Sequence, residues 1–272
     1  MIISVSRRSD IPRYYWDWFL DELKRGEIEV ANPFNAHQKR IMSLLPEDVD
    51  GLVFWTRDPH RIAESAEYLH ERGYHFYVMV TITAYPPVLE PHAPPLERVF
   101  LALHRLKNLI GAGQIFWRYD PIMLTSLTTA SEHERQFCFL AKELQDTVGR
   151  CIISFYDPYI KCDKRLRTLQ VEGKLSHSSL YAADGSLSLE AKLLAKKLAD
   201  TAHQYGIPIY SCAEPDGLTH YGIKPHACID GRLFGLQKAM DPHQRTLCQC
   251  DKSVDVGKYG TCPAHCVYCY AW

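Results

Sequence analysis

Short apolar runs alternate with longer amphipathic stretches along most of the chain. Residues 2–6, 52–56, 76–83, 114–119, 151–156 and 209–212 are short runs rich in β-branched and aromatic side chains, and they read as strands. Residues 12–25, 59–72, 96–110, 132–148 and 187–205 carry helical spacing. Asp10 and Asp58 stand where N-caps are expected, and Gly26 and Gly73 where helices stop. In the last helix Leu189, Leu193, Leu194, Leu198 and Ala202 form one apolar stripe. Residues 28–31 and 40–44 read as short extended pieces around a turn at 32–35, and 170–185 as an irregular insertion.

Strand followed by helix, repeated about five times, implies right-handed crossovers and a mostly parallel sheet. The expected fold is therefore α/β: a partial or full (β/α) barrel of the TIM type. Residues 1–211 form its core, and a cysteine-rich segment, 212–272, completes the same domain. A flat doubly wound sheet is the competing architecture. No GxGxxG follows any strand, which weakens its dinucleotide-binding version.

Composition changes this picture in one respect. The 272 residues carry 31 Lys+Arg against 32 Asp+Glu, a net charge of −1, so neither a nucleic-acid coat nor a polybasic membrane anchor is expected. There is no signal-peptide pattern at the start and no run of membrane-spanning length, so a cytoplasmic setting is expected. The ten cysteines are unevenly placed, with seven of them in the last quarter. In a chain long enough to bury a core, in a reducing compartment, such crowding points to metal before disulfides. Cys138, Cys151 and Cys162 read as core or incidental residues, with burial explaining the first two.

Parallel α/β folds gather reactive groups at the carboxyl ends of their strands. Six consecutive strands here run into polar residues. The candidate catalytic set is Arg7, Arg8 and Asp10 after the first strand, Arg118 and Asp120 on the fourth, and Glu214 after the sixth. Period two puts Phe116, Arg118 and Asp120 on one face. Thr81, Thr83 and Ser154 are candidate cofactor contacts. Forked guanidinium donors match a carboxylate or phosphate, so a small-molecule anionic or nucleotide-like substrate is expected. Tyr14, Tyr15, Trp16 and Trp18 near Arg7 and Arg8 could stack bases, but a helix packing on the barrel accounts for them more simply.

The sharpest motif is Cys262, Cys266 and Cys269, spaced C-x3-C-x2-C. Three thiolates on a tight loop can each hold one iron of a 4Fe-4S cluster and leave the fourth iron open. Zinc would want a fourth ligand, which His265 or a distant cysteine could supply. The loop resembles the cluster loop of radical S-adenosylmethionine enzymes, in which an aromatic residue precedes the third cysteine, as Tyr268 does here. The resemblance implies a (β/α) barrel and S-adenosylmethionine bound at the open iron, with Tyr268 as a cofactor neighbour. It further implies reductive cleavage to a hydrogen-abstracting radical and a flavodoxin- or ferredoxin-type electron donor. That superfamily places the loop after the first strand, whereas here it lies at the C-terminal end. A circular permutation reconciles the two if residues 254–256 form a strand before the loop and 2–6 come next. No Gly-Gly-Glu-type strand end is present.

The chain is also similar to a bacterial family, the domain of unknown function numbered 1848. The similarity rests on residues 6–12, 32–35, 54–59, 117–122 and 262–271. It implies the same cluster and no established activity. The remaining group, Cys212, Cys228, Cys248 and Cys250, could form a closed four-thiolate site for zinc or a second iron–sulfur cluster, with His226 and His243 as competing ligands. Two other classes of function stay open. One is a non-radical iron–sulfur or metal-dependent hydrolase or lyase, and the other is a zinc-stabilised binding module.

Overall fold

A computed structural model describes residues 1–33, 35–215 and 217–272, with the Ala36 side chain left aside. The expected turn at 32–35 includes Phe34, which lies outside the described residues. Eight strands form one sheet: β1 (Ile2–Val5), β4 (Gly51–Thr56), β5 (Phe76–Thr81), β6 (Ile115–Ile122), β7 (Arg150–Phe155), β8 (Ile209–Ser211), β9 (Lys224–Pro225) and β10 (Val254–Asp255). Their order is β10-β1-β4-β5-β6-β7-β8-β9, and every neighbouring pair is parallel. A separate antiparallel pair, β2 (Glu27–Asn32) and β3 (Asn35–Ser43), stands outside it.

The helices are α1 (Ile11–Tyr14), α2 (Trp16–Arg25), α3 (His60–Glu71), α4 (Leu96–Ile110), α5 (Ala130–Leu144), α6 (Ile160–Val171) and α7 (Leu189–Gln204). Five of them, α2 to α5 and α7, bury an apolar stripe against one face of the sheet, in a cluster with Val5, Phe54, Val78, Trp117 and Ile153. The other face carries Val53, Tyr77, Phe116 and Ile152, covered by Cys212, Cys228, Ile229 and Cys250 rather than by an α-helix. Both faces are therefore buried, which is why β4 and β5 read as continuous apolar runs.

A closed barrel is not found among the described residues. The sheet ends at β9 and β10, two residues each, and these two do not pair. The doubly wound alternative places helices on both faces, whereas the five helices packed on this sheet cover one. The fold is thus an α/β arrangement on a mostly parallel sheet, with 212–272 contributing strands β9 and β10 to the sheet that 1–211 begins.

Several local expectations change. The first helix divides at Tyr15 into α1 and α2. The cap of α3 is Pro59, while Asp58 accepts from the His60 N–H at 3.3 Å and pairs with Arg98. The α7 stripe is Ala191, Leu194, Ala195, Leu198, Ala199 and Ala202, and Leu189 and Leu193 are exposed. Cys138 is exposed on α5, whereas Cys151 and Cys162 are buried. Helix α6 was not expected, because only Cys162 and Leu166 are buried along it. Among the described residues no helix is long and apolar enough to cross a membrane.

β10 lies beside β1, in register Ile3 with Val254 and Ser4 with Asp255. The Asp255 carboxylate locks this edge. It accepts from Ser4 Oγ at 2.9 Å, Ser6 Oγ at 2.5 Å, the Arg7 N–H at 2.9 Å and the Gly257 N–H at 3.0 Å. The ends of the chain are thereby joined across the sheet, and the segment after β10 is delivered to the carboxyl ends of β1 and β4.

Candidate functional site

A cavity of about 480 Å³ opens at those strand ends. Arg7, Arg8, Asp10, Arg118 and Asp120 border it, as do Thr81, Ser154 and Tyr268. So do all seven cysteines of the last quarter. Glu214 and Thr83 do not border it. Glu214 is buried behind β7, where its carboxylate accepts from the Phe155 N–H at 2.8 Å and from Tyr181 Oη at 3.2 Å. Burial raises Glu214 to about 8. Thr83 is buried and donates to Glu90.

The polar wall is a set of paired groups. Asp120 accepts from Arg118 and from Ser154 Oγ, and the three meet because β6 and β7 are adjacent. The Arg118 guanidinium lies over the Trp55 ring at 4.8 Å, with Arg7 at 6.0 Å from the same ring. Arg7 reaches Gln244 Oε1 at 3.1 Å, and Arg8 reaches the Gly257 carbonyl at 3.3 Å. Asp10 caps α1 from the Arg13 N–H and accepts from Thr56 Oγ1 at 2.7 Å and the Arg57 N–H at 2.9 Å. Its complete burial outweighs these bonds and raises it to about 6.

Among the described residues, three buried donors of the wall have no partner: Trp55 Nε1, Arg118 Nε and Ser9 Oγ. Trp55 is only 7% exposed, so its indole N–H has little access to bulk water. Buried donors are nearly always satisfied, so these three are free to serve acceptor atoms of a bound molecule or of water. Trp55 and Ser9 stood outside the expected set. Their only sequence signal was a place beside the strand-end Arg57 and Arg8.

The C-terminal loop is tied down from several sides. The Val267 N–H donates to the Leu89 carbonyl at 2.9 Å, Trp272 Nε1 to the Cys266 carbonyl at 2.7 Å, and Arg165 Nη1 to the Trp272 carbonyl at 2.9 Å. Arg165 also donates to the Cys269 carbonyl. Tyr268 donates its hydroxyl to Glu90 and accepts from Arg57. Arg57 in turn grips Glu90 with two nitrogens, each at 2.9 Å. This ion pair is buried, with Glu90 2% exposed. The Tyr268 hydroxyl is thus committed to the protein, and its ring packs edge-on against Tyr85. His265 takes φ +50° in the tight turn and packs edge-on against Trp272 at 4.6 Å.

All three loop thiols are free of disulfides. Burial pushes Cys266 up from its ordinary range, and burial followed by the adjacent Cys266 and Cys262 pushes Cys269 up to about 12. Cys266 and Cys269 thus resist ionising unless a cation compensates them, and thiols ligate metal only when deprotonated. The donor set fits a cluster held by three cysteines.

The chain matches the family model described as Domain of unknown function (DUF1848) over residues 2–271. It belongs to that family. No curated protein matches it. In the family fold as this chain shows it, stretches 6–12, 54–59, 117–122 and 262–271 all contribute residues to the cavity wall, whereas Asn32 ends β2 and Asn35 begins β3.

The other four cysteines meet on the inner face of the sheet. Cys212 follows β8, Cys228 follows β9, and Cys248 and Cys250 come from the irregular stretch before β10. Cys228 Sγ donates to Cys212 Sγ at 3.3 Å. Cys250 packs in the same cluster as Cys212, Cys228 and Cys248 and accepts from the Ile229 N–H at 3.3 Å. Donation by Cys228 lowers Cys212 to about 7, and the neighbouring thiols Cys228 and Cys248 lower Cys250. Among the described residues no group of three or more His, Cys, Asp or Glu side chains stands arranged around one ion. His226 accepts from Arg150 at 2.9 Å and packs at a tilt against Tyr210, while His243 borders the cavity.

Proposed function

We propose that this chain is an iron–sulfur enzyme of the radical S-adenosylmethionine type. Cys262, Cys266 and Cys269 hold a 4Fe-4S cluster with one iron left for the amino and carboxylate groups of S-adenosylmethionine. The observation that carries this reading is the meeting of all three thiols with the polar strand ends on one cavity. A cluster of this kind supplies an electron at low potential for cleaving the sulfonium, and a flavodoxin- or ferredoxin-type protein is the proposed donor. The place of β10 beside β1 supports a permuted partial barrel, since the loop then follows a strand that neighbours the first.

The chain's own residues do the rest. Tyr268, held by Arg57 and Glu90, fixes the loop against the sheet. Trp55 Nε1 and Arg118 Nε offer two unused donors to acceptor atoms of the bound molecules. Arg7 and Arg8 supply positive charge for a small or nucleotide-like anionic substrate. Asp10, with its raised affinity for a proton, and Asp120 are the carboxylates placed to accept a hydroxyl or move a proton.

The test is anaerobic reconstitution with iron and sulfide, then incubation with S-adenosylmethionine and strong reductant. Iron and sulfide bound at the loop, with 5′-deoxyadenosine released, are expected. Iron content unchanged by Cys266→Ala overturns the loop assignment. A cluster that forms yet never cleaves S-adenosylmethionine leaves the non-radical hydrolase or lyase, and zinc without sulfide leaves the zinc-stabilised module.

A further inference from the structure

Cys212, Cys228, Cys248 and Cys250 have no part in the function proposed above, yet they are the most unusual feature of the sheet's inner face. Cysteine in a core ordinarily behaves as a scattered small hydrophobe. Here four thiols from three separate stretches gather in one cluster, with Cys228 donating to Cys212 at 3.3 Å, and each also borders the cavity. None is in a disulfide. The Ile229 amide donates to Cys250 Sγ, the kind of bond that supports a thiolate ligand. Arg118 borders the same cavity as Cys212 and Cys228 and carries positive charge towards it.

We propose that these four cysteines form a second metal centre, closed by protein thiolates alone, that binds a soft cation: zinc, or iron together with sulfide. Each thiol gives its proton to water as it ligates. Cys212 and Cys228 are already in contact, and Cys248, the one member not fully buried, is the ligand with room to close the site. With four protein ligands such a centre has no open position, so it secures the segment covering the sheet rather than binding substrate. The inference does not depend on the C-terminal loop holding a cluster.

The test uses the full chain with Cys262, Cys266 and Cys269 all changed to Ala, which removes the first site. Cobalt(II) titration under anaerobic conditions is expected to give a saturable thiolate-to-cobalt charge-transfer band. Reconstitution with iron and sulfide is the second arm and distinguishes a cluster from a single ion. Adding Cys228→Ser and Cys250→Ser abolishes binding in whichever arm is positive. No binding in either arm, or binding unchanged by those two substitutions, overturns the proposal. If the combined variant does not fold, Cys248→Ser carries the test: a loss or shift of the band supports the site, and an unchanged band overturns it. Either result leaves the loop's own metal content, measured with the loop cysteines intact, to be judged separately.

Discussion

The three thiols of the C-terminal loop and the four thiols on the sheet face border one cavity, but they are held there in different ways. The loop thiols sit within eight residues of one another and are fixed by polar anchors that come from far along the chain: Arg57 and Glu90 through Tyr268, Arg165 through two carbonyls, and Leu89 through Val267. The sheet-face thiols are scattered over 39 positions, from 212 to 250 counted inclusively, and are brought together by packing on Tyr77, Phe116 and Ile152. A site encoded by local spacing thus needs long-range anchors to aim it. A site encoded by the fold needs only that the fold forms.

If the two groups are separately supported, each can be loosened alone. Arg57→Ala should have the largest effect, because it leaves the Glu90 carboxylate buried without its partner, a loss of about 3–5 kcal/mol. Denaturant unfolding measures the loss. Alkylation mapped by mass should show Cys266 becoming reactive while Cys228 stays protected. Equal exposure of both would mean that the two groups rise and fall as one unit.

Acid should act on the loop side through His133. Its Nε2 donates to the Met123 carbonyl at 2.8 Å, so its Nδ1 accepts from Tyr119 Oη at 2.7 Å, and the ring is neutral. It packs edge-on against Tyr85, which packs against Tyr268. Burial lowers His133 from 6.5 to about 4. A group whose affinity for protons falls on folding contributes stability above its unfolded value and loses it as acid is added. The wild type should therefore lose about 3 kcal/mol between pH 6.5 and 4 relative to His133→Gln. Equal pH slopes for the two proteins would show that the ring is not buried as a neutral base.

On the sheet-face side the matching substitution is Tyr77→Phe. The Tyr77 hydroxyl donates to the Cys228 carbonyl at 2.8 Å and accepts from the Asp230 N–H at 3.1 Å. Losing both should cost about 1–2 kcal/mol and expose Cys228 to alkylation before Cys266. The opposite order would reverse the assignment of supports.

The same contrast explains what the sequence disclosed. The C-x3-C-x2-C spacing and the strand-end polar residues are local signals, and period two alone put Phe116, Arg118 and Asp120 on one face, where Phe116 packs beneath the cavity that the other two border. Glu90 gave no signal, because it lies in a proline-rich loop and acquires its role only when Arg57 and Tyr268 arrive from elsewhere. Glu214 had the right parity, but the chain turns at Ala213, φ +54°, and carries it behind β7. Helix α6 was hidden because two buried side chains make no stripe. The open sheet was hidden because strand–helix alternation is the same whether or not the last strands close a ring.

The smallest expected change in stability is also the one that separates core from cavity. The Trp55 ring belongs to the sheet-face cluster, yet its Nε1–H has no partner among the described residues. If the indole nitrogen is there for a ligand, Trp55→Phe keeps an aromatic ring in the cluster and removes no hydrogen bond that the free protein makes. Stability by denaturant unfolding should then stay within about 1 kcal/mol of wild type, since an unsatisfied buried donor contributes no favourable bond. Affinity for S-adenosylmethionine, measured by calorimetry on the reconstituted protein, should fall. A large loss of stability with unchanged affinity would instead place Trp55 wholly in the core, and the donor side of the cavity would then rest on Arg118 and Ser9.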